Sequence, residues 1–276
     1  MRYLTVELDG RPHVAVAGDD GLRAVRGGTN VTLSELLGLP ADQRDAALVP
    51  DGALPADARV LAPLRPASIV CIGLNYLDHV RETGMEAPSR PLVFSKLRSS
   101  VIGPGEAIRI DPTVTTQVDW EVELAVVIGR RAYRVPVDGA LDFVFGYTAA
   151  NDVSARDVQF GDGQWVRGKS LDTFCPLGPA VVTRDEVPDP QRVALRTRVN
   201  GETVQDSTTA EMVFGVAELI SFCSHSFTLL PGDVLLTGTP WGCGAFADPP
   251  QFLRDGDVVE VDVAGIGTLT NAVEML

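Results

Sequence analysis

The stretch from Val118 to Gly129 limits what this chain can fold into more than any other. At a period of two, Val118, Trp120, Val122, Leu124, Val126 and Ile128 make one wholly apolar face, the mark of a β-strand with a core against it. The opposite face reads Asp119, Glu121, Glu123, Ala125, Val127, so it opens with acids and turns apolar within two residues, as a strand running inward does. Two outcomes are open at this point. The acids form the solvated face of an antiparallel strand, or they cluster, in which case they repel one another unless a cation lies between them.

Bulk properties narrow the partners. With 276 residues, 45% of them hydrophobic, the chain can bury a full core and has the size of a large single domain or a small two-domain protein. No apolar run reaches the roughly eighteen residues needed to span a bilayer. The N-terminus alternates like a strand from Met1 to Glu7 instead of building a signal peptide, so a cytoplasmic location is expected. Cys71, Cys175, Cys223 and Cys243 are far apart and sit in apolar or Gly-rich surroundings, as buried thiols do. With three histidines besides, no zinc site is expected. A formal charge of -14 argues against nucleic acid or an anionic membrane as a partner, so an anionic substrate needs local cations. Of the 23 Lys and Arg residues, only Lys96 and Lys169 are lysine. Arginine can stand in for most surface lysines, but not for one that must act as a compact ammonium holding or moving a proton.

Along the chain, residues 1–66 read as a small β-rich domain, with strands near 3–8 and 13–17 around Asp9-Gly10-Arg11-Pro12. A short helix follows, where Thr32 and Glu35 have capping-box spacing ahead of Leu36 and Leu37. Pro50, Pro55, Pro63 and Pro66 punctuate its exit and set the boundary near 66. The main body, 67–276, opens with a buried strand from Ser68 to Gly73. If Leu74 to Glu82 is helical, His79 and Glu82 share a face, either as a histidine oriented by a carboxylate or as an incidental surface pair. Lys96 ends an apolar run and either faces a site or snorkels. A helix start is read from Asn151 to Gln159, with Asp152 as a possible N-cap and Arg156 and Gln159 on one face. Gly163 to Ser170 fits the phosphate-loop pattern G-x-x-x-x-G-K-[ST], but no buried strand precedes it, Pro176 follows, and Trp165, Val166 and Arg167 would crowd a phosphate cradle; we reject it.

The last third alternates regularly. Leu195–Val199 and Glu202–Gln205 flank Asn200-Gly201, a favoured hairpin turn. Thr208 and Glu211 repeat the capping-box spacing ahead of a helix face made by Met212, Val213, Val216, Leu219, Ile220 and Cys223. Gly238-Thr239-Pro240-Trp241-Gly242 is either a plain turn or a loop presenting Thr239 and backbone N–H groups to an anion. Val258–Val263 and Thr268–Val273 close the chain as a hairpin.

Several motifs then occur together and in order: Gly73-Leu74-Asn75-Tyr76 with His79, Glu121-x-Glu123, Gly146-Tyr147, Asn151-Asp152, Ala155-Arg156-Asp157-x-Gln159, Gly168-Lys169-Ser170 and Gly238-Thr239-Pro240. Over about residues 67–276 this set resembles the fumarylacetoacetate hydrolase family. The one departure noted is Leu97, where the family usually has proline. The resemblance implies an α+β, predominantly β fold: a mixed β-roll or sandwich with a few packed helices, preceded here by the small N-terminal domain. It also implies a homodimer and a magnesium ion, with manganese as the alternative, held by Glu121, Glu123 and Asp152. Three carboxylates plus waters suit such a hard ion. Arg156, Gln159, Lys169 and Thr239 match positions that hold a substrate's carboxylate and oxyanion, and Tyr76 and Lys96 are expected on the substrate side as well.

The activity expected from the resemblance is magnesium-dependent hydrolysis of a C–C bond in an acylpyruvate or 2,4-diketo acid, passing through a metal-bound enolate. His79, oriented by Glu82, would activate water and Lys169 would stabilise the oxyanion. Oxaloacetate decarboxylation, or isomerisation or tautomerisation of a 2-oxo or 2-hydroxy-diene acid, passes through similar enolates and is the alternative. A non-catalytic small-molecule binding protein is a third reading.

Overall fold

In the computed structural model, which describes residues 1–276, every residue of strand Val122–Ile128 is buried. Two cores account for all of them but Glu123. Val122, Leu124, Val126 and Ile128 enter the larger one, while Ala125 and Val127 enter the smaller one on the opposite face. A strand buried on both sides must lie inside a layered sheet, and this one does. It pairs antiparallel with Val144–Asn151 on one side and with Val234–Leu236 on the other.

The sheet continues outward from this pair. Beyond Val234–Leu236 come Ile69–Gly73, in parallel, and then Leu92–Lys96. Beyond Val144–Asn151 comes Cys175–Thr183, which pairs with the N-terminal strand Arg2–Leu8 through Arg2 opposite Val182 and Tyr3 opposite Val181. Arg11–Gly18, Gly21–Thr29 and Pro50–Ala53 extend the same sheet to its far edge. The expected boundary at 66 thus falls between stretches of one continuous sheet. The smaller core also mixes Val14, Val25, Leu33 and Leu37 with Cys71, Phe94, Cys175 and Leu236.

A second sheet orders Glu202–Thr208, Ala194–Val199, Val258–Val263, Gly267–Met275 and Ile108–Ile110. Its inward residues Leu195, Val259, Val261, Val263 and Leu269 share the larger core with Val122, Leu124 and Val126, so two layers close like a sandwich. The hairpin turn is as expected, Asn200 and Gly201 both having positive φ (54° and 82°). Helix Val216–Ser226 lays Val216, Leu219, Ile220 and Cys223 on the same core.

Three local differences from the sequence reading matter for the site. The acidic strand is not continuous: Val118–Asp119 pairs with Ser154–Ala155, and the ladder restarts at Val122. The reason is that three successive backbone donors are taken by side chains. Trp120 N–H bonds Asp119 Oδ1 (2.9 Å), Glu121 N–H bonds Asn151 Oδ1 (2.9 Å) and Val122 N–H bonds Gln205 Oε1 (3.0 Å). Second, the helix expected from Asn151 starts only at Arg156, with Ala155 in the cap position, so Asp152 is freed for other work. Third, Thr208 caps only a short 3-10 turn, Thr209–Glu211. The helix after it begins past Gly215, whose N–H is held by Glu218 at 2.7 Å.

Candidate active site

Where the ladder breaks, Glu121 and Glu123 lie on the same side and Asp152 joins them, its N–H bonded to Glu121 O at 2.9 Å. The three carboxyl groups are buried, and their ligand oxygens lie within 4.8 Å of one another. Buried carboxylates need partners, and both lysines of the chain supply them. Lys169 Nζ donates to Glu121 Oε2 (2.7 Å) and Asp152 Oδ2 (2.9 Å). Lys96 Nζ donates to Asp152 Oδ1 (2.5 Å) and Val153 O (3.2 Å). Arg156 pairs with Glu121 Oε1 at 2.7 Å and with Asp119 Oδ2 at 2.8 Å.

Four buried carboxyl groups, Asp119, Glu121, Glu123 and Asp152, therefore meet three buried cations, and Glu123 is the one in no ion pair. Its protein donor is Gly238 N–H at 2.7 Å. Burial first, then Asp152 and Glu121, holds its carboxyl well above the usual range. Glu121 goes the other way: burial would raise it, but Lys169 and Arg156 outweigh burial and bring it down to about 2. An all-oxygen, negative, incompletely compensated donor set fits a hard divalent cation, and it does not suit a soft one.

A second group stands on the helix Leu77–Thr83. His79 Nδ1 is 2.7 Å from Glu82 Oε2, and Glu82 Oε1 accepts from Gly242 N–H at 2.7 Å. Helix and glycine loop are thus clamped by one carboxylate. Phe246 lies edge-on to His79 with ring centroids 5.4 Å apart. Arg156 is fixed by Asp119 through Nε (2.8 Å) and reaches Gln159 Oε1 through NH1 (3.0 Å). Asp119 is itself held by Gly244 N–H (2.7 Å) and Ala245 N–H (3.1 Å). These elements enclose a cavity of about 70 Å³ onto which His79, Glu121, Arg156, Gln159, Lys169 and Thr239 open, with Phe94, Trp165 and Phe246 among its apolar walls.

Of the residues expected at the site, these six face the cavity. Glu82 stands behind His79, while Glu123 and Asp152 stand beside Glu121. Lys96 is displaced from its expected role: it sits behind Asp152 and off the cavity wall, because its ammonium is committed to that carboxylate and to Val153 O. Tyr76 also departs from expectation. Its ring is fully buried in the larger core and its hydroxyl has no hydrogen-bond partner there, so it packs and does not line the cavity. Leu97 stands at the usual proline position, and its N–H, which proline would lack, donates to Ser170 Oγ at 3.0 Å. The sequence reading missed Asp119, Gln205 and Phe246 as parts of the site. Asp119 had a signal, lying at the same phase as Glu121. Gln205 had none, being one polar residue at the end of a hairpin strand.

Comparison with known proteins identifies the family. Residues 68–274 match the family described as fumarylacetoacetate (FAA) hydrolase, C-terminal. The mitochondrial oxaloacetate tautomerase fahd2 of Xenopus laevis is 49% identical over 217 residues, covering 78% of this chain and 68% of that protein. Its relative from Homo sapiens, oxaloacetate tautomerase FAHD2A, is 47% identical over 221 residues, covering 79% and 70%. Among solved structures, a fumarylacetoacetate hydrolase from Exiguobacterium antarcticum superposes with a TM-score of 0.90 at 38% identity, over 100% of both chains. A 5-carboxymethyl-2-hydroxymuconate delta-isomerase from Mycobacterium smegmatis does so with 0.82 at 37%, again over 100% of both. By sequence, fold and the order of its motifs, this chain belongs to the fumarylacetoacetate hydrolase family.

Proposed function

We propose that the chain is a tautomerase of oxaloacetate or a closely similar 2-oxo acid, dependent on magnesium or manganese. The observation that carries it is the convergence on one small cavity of a carboxylate-oriented histidine, two buried cations and a buried carboxylate cluster. The names of the relatives favour enolisation over hydrolysis, the reaction first expected from the resemblance. Enolisation also needs less: it moves one proton between carbon and oxygen and consumes no water.

Glu121, Glu123 and Asp152 would hold the cation, which when bound acts as a Lewis acid on the substrate's 2-oxo and carboxylate oxygens. Arg156, Gln159 and Thr239 bind and orient the anionic end of the substrate. Glu82 keeps the proton of His79 on Nδ1, which leaves Nε2 as the base. His79 takes the proton from C3, and Lys169 carries the positive charge that the developing enolate oxygen requires. The proton returns to that oxygen to give the enol, and the same steps reversed give the ketone. Phe94, Trp165 and Phe246 keep the exchange away from bulk solvent.

The test is a substrate panel with magnesium. Oxaloacetate enol–keto relaxation, followed by ultraviolet absorbance, is expected to accelerate over the buffer rate without matching release of carbon dioxide. An acylpyruvate hydrolysed at comparable or greater efficiency would return the assignment to C–C hydrolysis, for which the same His79–Glu82 pair would activate water.

A further inference from the structure

We propose that Gln205 is a positioning residue for substrate binding, which it serves by fixing Thr239 as a hydrogen-bond donor toward the cavity. The proposal rests on the reading of this cavity as a 2-oxo acid site, and adds to it a residue on the other sheet. Gln205 is fully buried on strand Glu202–Thr208. Its Oε1 accepts from Val122 N–H (3.0 Å) and the Thr197 hydroxyl (2.7 Å). Its Nε2 donates to Pro240 O (3.1 Å) and Thr239 Oγ1 (2.9 Å).

A backbone N–H can only donate and a carbonyl can only accept, so Val122 and Pro240 leave this amide a single orientation. Turning it over would set N–H against N–H and oxygen against oxygen in a buried site, at the cost of unsatisfied polar groups. Thr239 Oγ1 therefore always faces an N–H donor, and its own hydrogen must point away from Gln205. That hydroxyl donates to no protein acceptor, and Thr239 opens onto the cavity with Arg156 and Lys169. It is thus held ready to donate to a carboxylate or enolate oxygen. The loop is kept on this strand by Gly242, where a Cβ would meet Val204 O at 2.1 Å.

The experiment is calorimetric titration of the magnesium-loaded protein with oxalate, a planar dianion whose adjacent oxygens resemble those of a 2-oxo acid enolate. This readout is independent of turnover. Thr239→Val leaves the Gln205 bridge to Val122 in place and is expected to weaken oxalate by about tenfold to a hundredfold, the worth of one hydrogen bond to a charged group. Thr239→Ser is expected to restore most of the loss. Gln205→Met is expected to weaken oxalate by about tenfold in the wild-type background and by no more than about twofold in Thr239→Val, because its effect travels through the hydroxyl. Gln205→Leu, uncharged and close in volume, gives the same cycle if Gln205→Met does not fold. Oxalate affinity unchanged in Thr239→Val, or an equal cost of the Gln205 substitution in both backgrounds, would overturn the proposal. Failure of oxaloacetate tautomerisation in a wild type that binds oxalate would strike the reaction proposed above, while this cycle still decides the role of Gln205.

Discussion

Glu123 is the residue that most directly tests whether the buried acids form a metal site. It is buried, touches no cation, and accepts from Gly238 N–H. A carboxyl whose folded value is raised contributes stability at low pH and loses it as pH rises from about the ordinary value of 4.5 through the folded value. Glu121, lowered to about 2, has the opposite sign: its contribution is present above the ordinary value and is lost only as pH falls toward 2. In metal-free protein at neutral pH, Glu123→Gln is therefore expected to raise the melting temperature by a few degrees, on the order of 1 kcal/mol. Added magnesium should raise the melting temperature of the wild type and leave the variant unmoved. A variant that melts lower without metal and still responds to magnesium would contradict the assignment of Glu123 as a ligand. Lys169 offers a second test with two signs. Its ammonium competes with a cation for Glu121 and Asp152, so Lys169→Met should bind magnesium as tightly as the wild type or more so. Turnover should nevertheless fall on the order of a hundredfold or more, as for loss of an oxyanion donor. Parallel loss of metal affinity and turnover would show the lysine to be structural.

The helix Leu77–Thr83 carries the pair proposed to move the proton and is held by more than its own hydrogen bonds. His79→Ala is expected to slow tautomerisation by about 10²–10⁴, the usual range for a positioned base. Glu82→Gln should give a milder loss with a shifted pH profile. An amide oxygen can accept from His79 or from Gly242 only if its NH₂ is turned away from that partner, so either the tautomer or the clamp is lost. A pH profile in Glu82→Gln identical to wild type would remove the orienting role. The i,i+3 spacing made the pair legible in the sequence, because helical periodicity alone decides which side chains meet. Gly242 was not legible, being 160 positions away. The same contrast holds at the acidic strand. Alternation correctly put Glu121 and Glu123 on one side, but the break at Trp120 and Glu121 depends on Asn151 and Gln205, whose claims on backbone donors leave no local signature. Capping spacing succeeded at Thr32, where Glu35 bonds back to its N–H at 2.7 Å. It misplaced the helix after Thr208 because the actual cap, Gly215, has no side chain to announce it.

At the scale of the whole molecule, the small N-terminal unit read from composition and prolines does not have a core to itself. Turn residues and prolines mark where a chain changes direction, and they carry no information about which distant strand completes a sheet. Here Arg2–Leu8 completes it against Cys175–Thr183, and Val14, Val16, Val25, Leu33, Leu36, Leu37 and Leu64 share the smaller core with Cys71, Phe94, Ala125, Val127, Leu177 and Leu236. Val127 and Ala125 lie on the strand whose start bears Glu123. Truncation to residues 67–276 would bare this face and leave the Cys175–Thr183 strand with an open edge. Each large apolar side chain re-exposed costs about 1.5–3 kcal/mol. Several together exceed the roughly 5–15 kcal/mol by which a domain is stable. The truncated chain is therefore expected to be insoluble, or to lack a cooperative unfolding transition in calorimetry, although it keeps every candidate ligand and catalytic residue. A soluble 67–276 fragment with a sharp transition and wild-type magnesium affinity would show instead that the N-terminal strands are an independent addition to a self-sufficient catalytic unit.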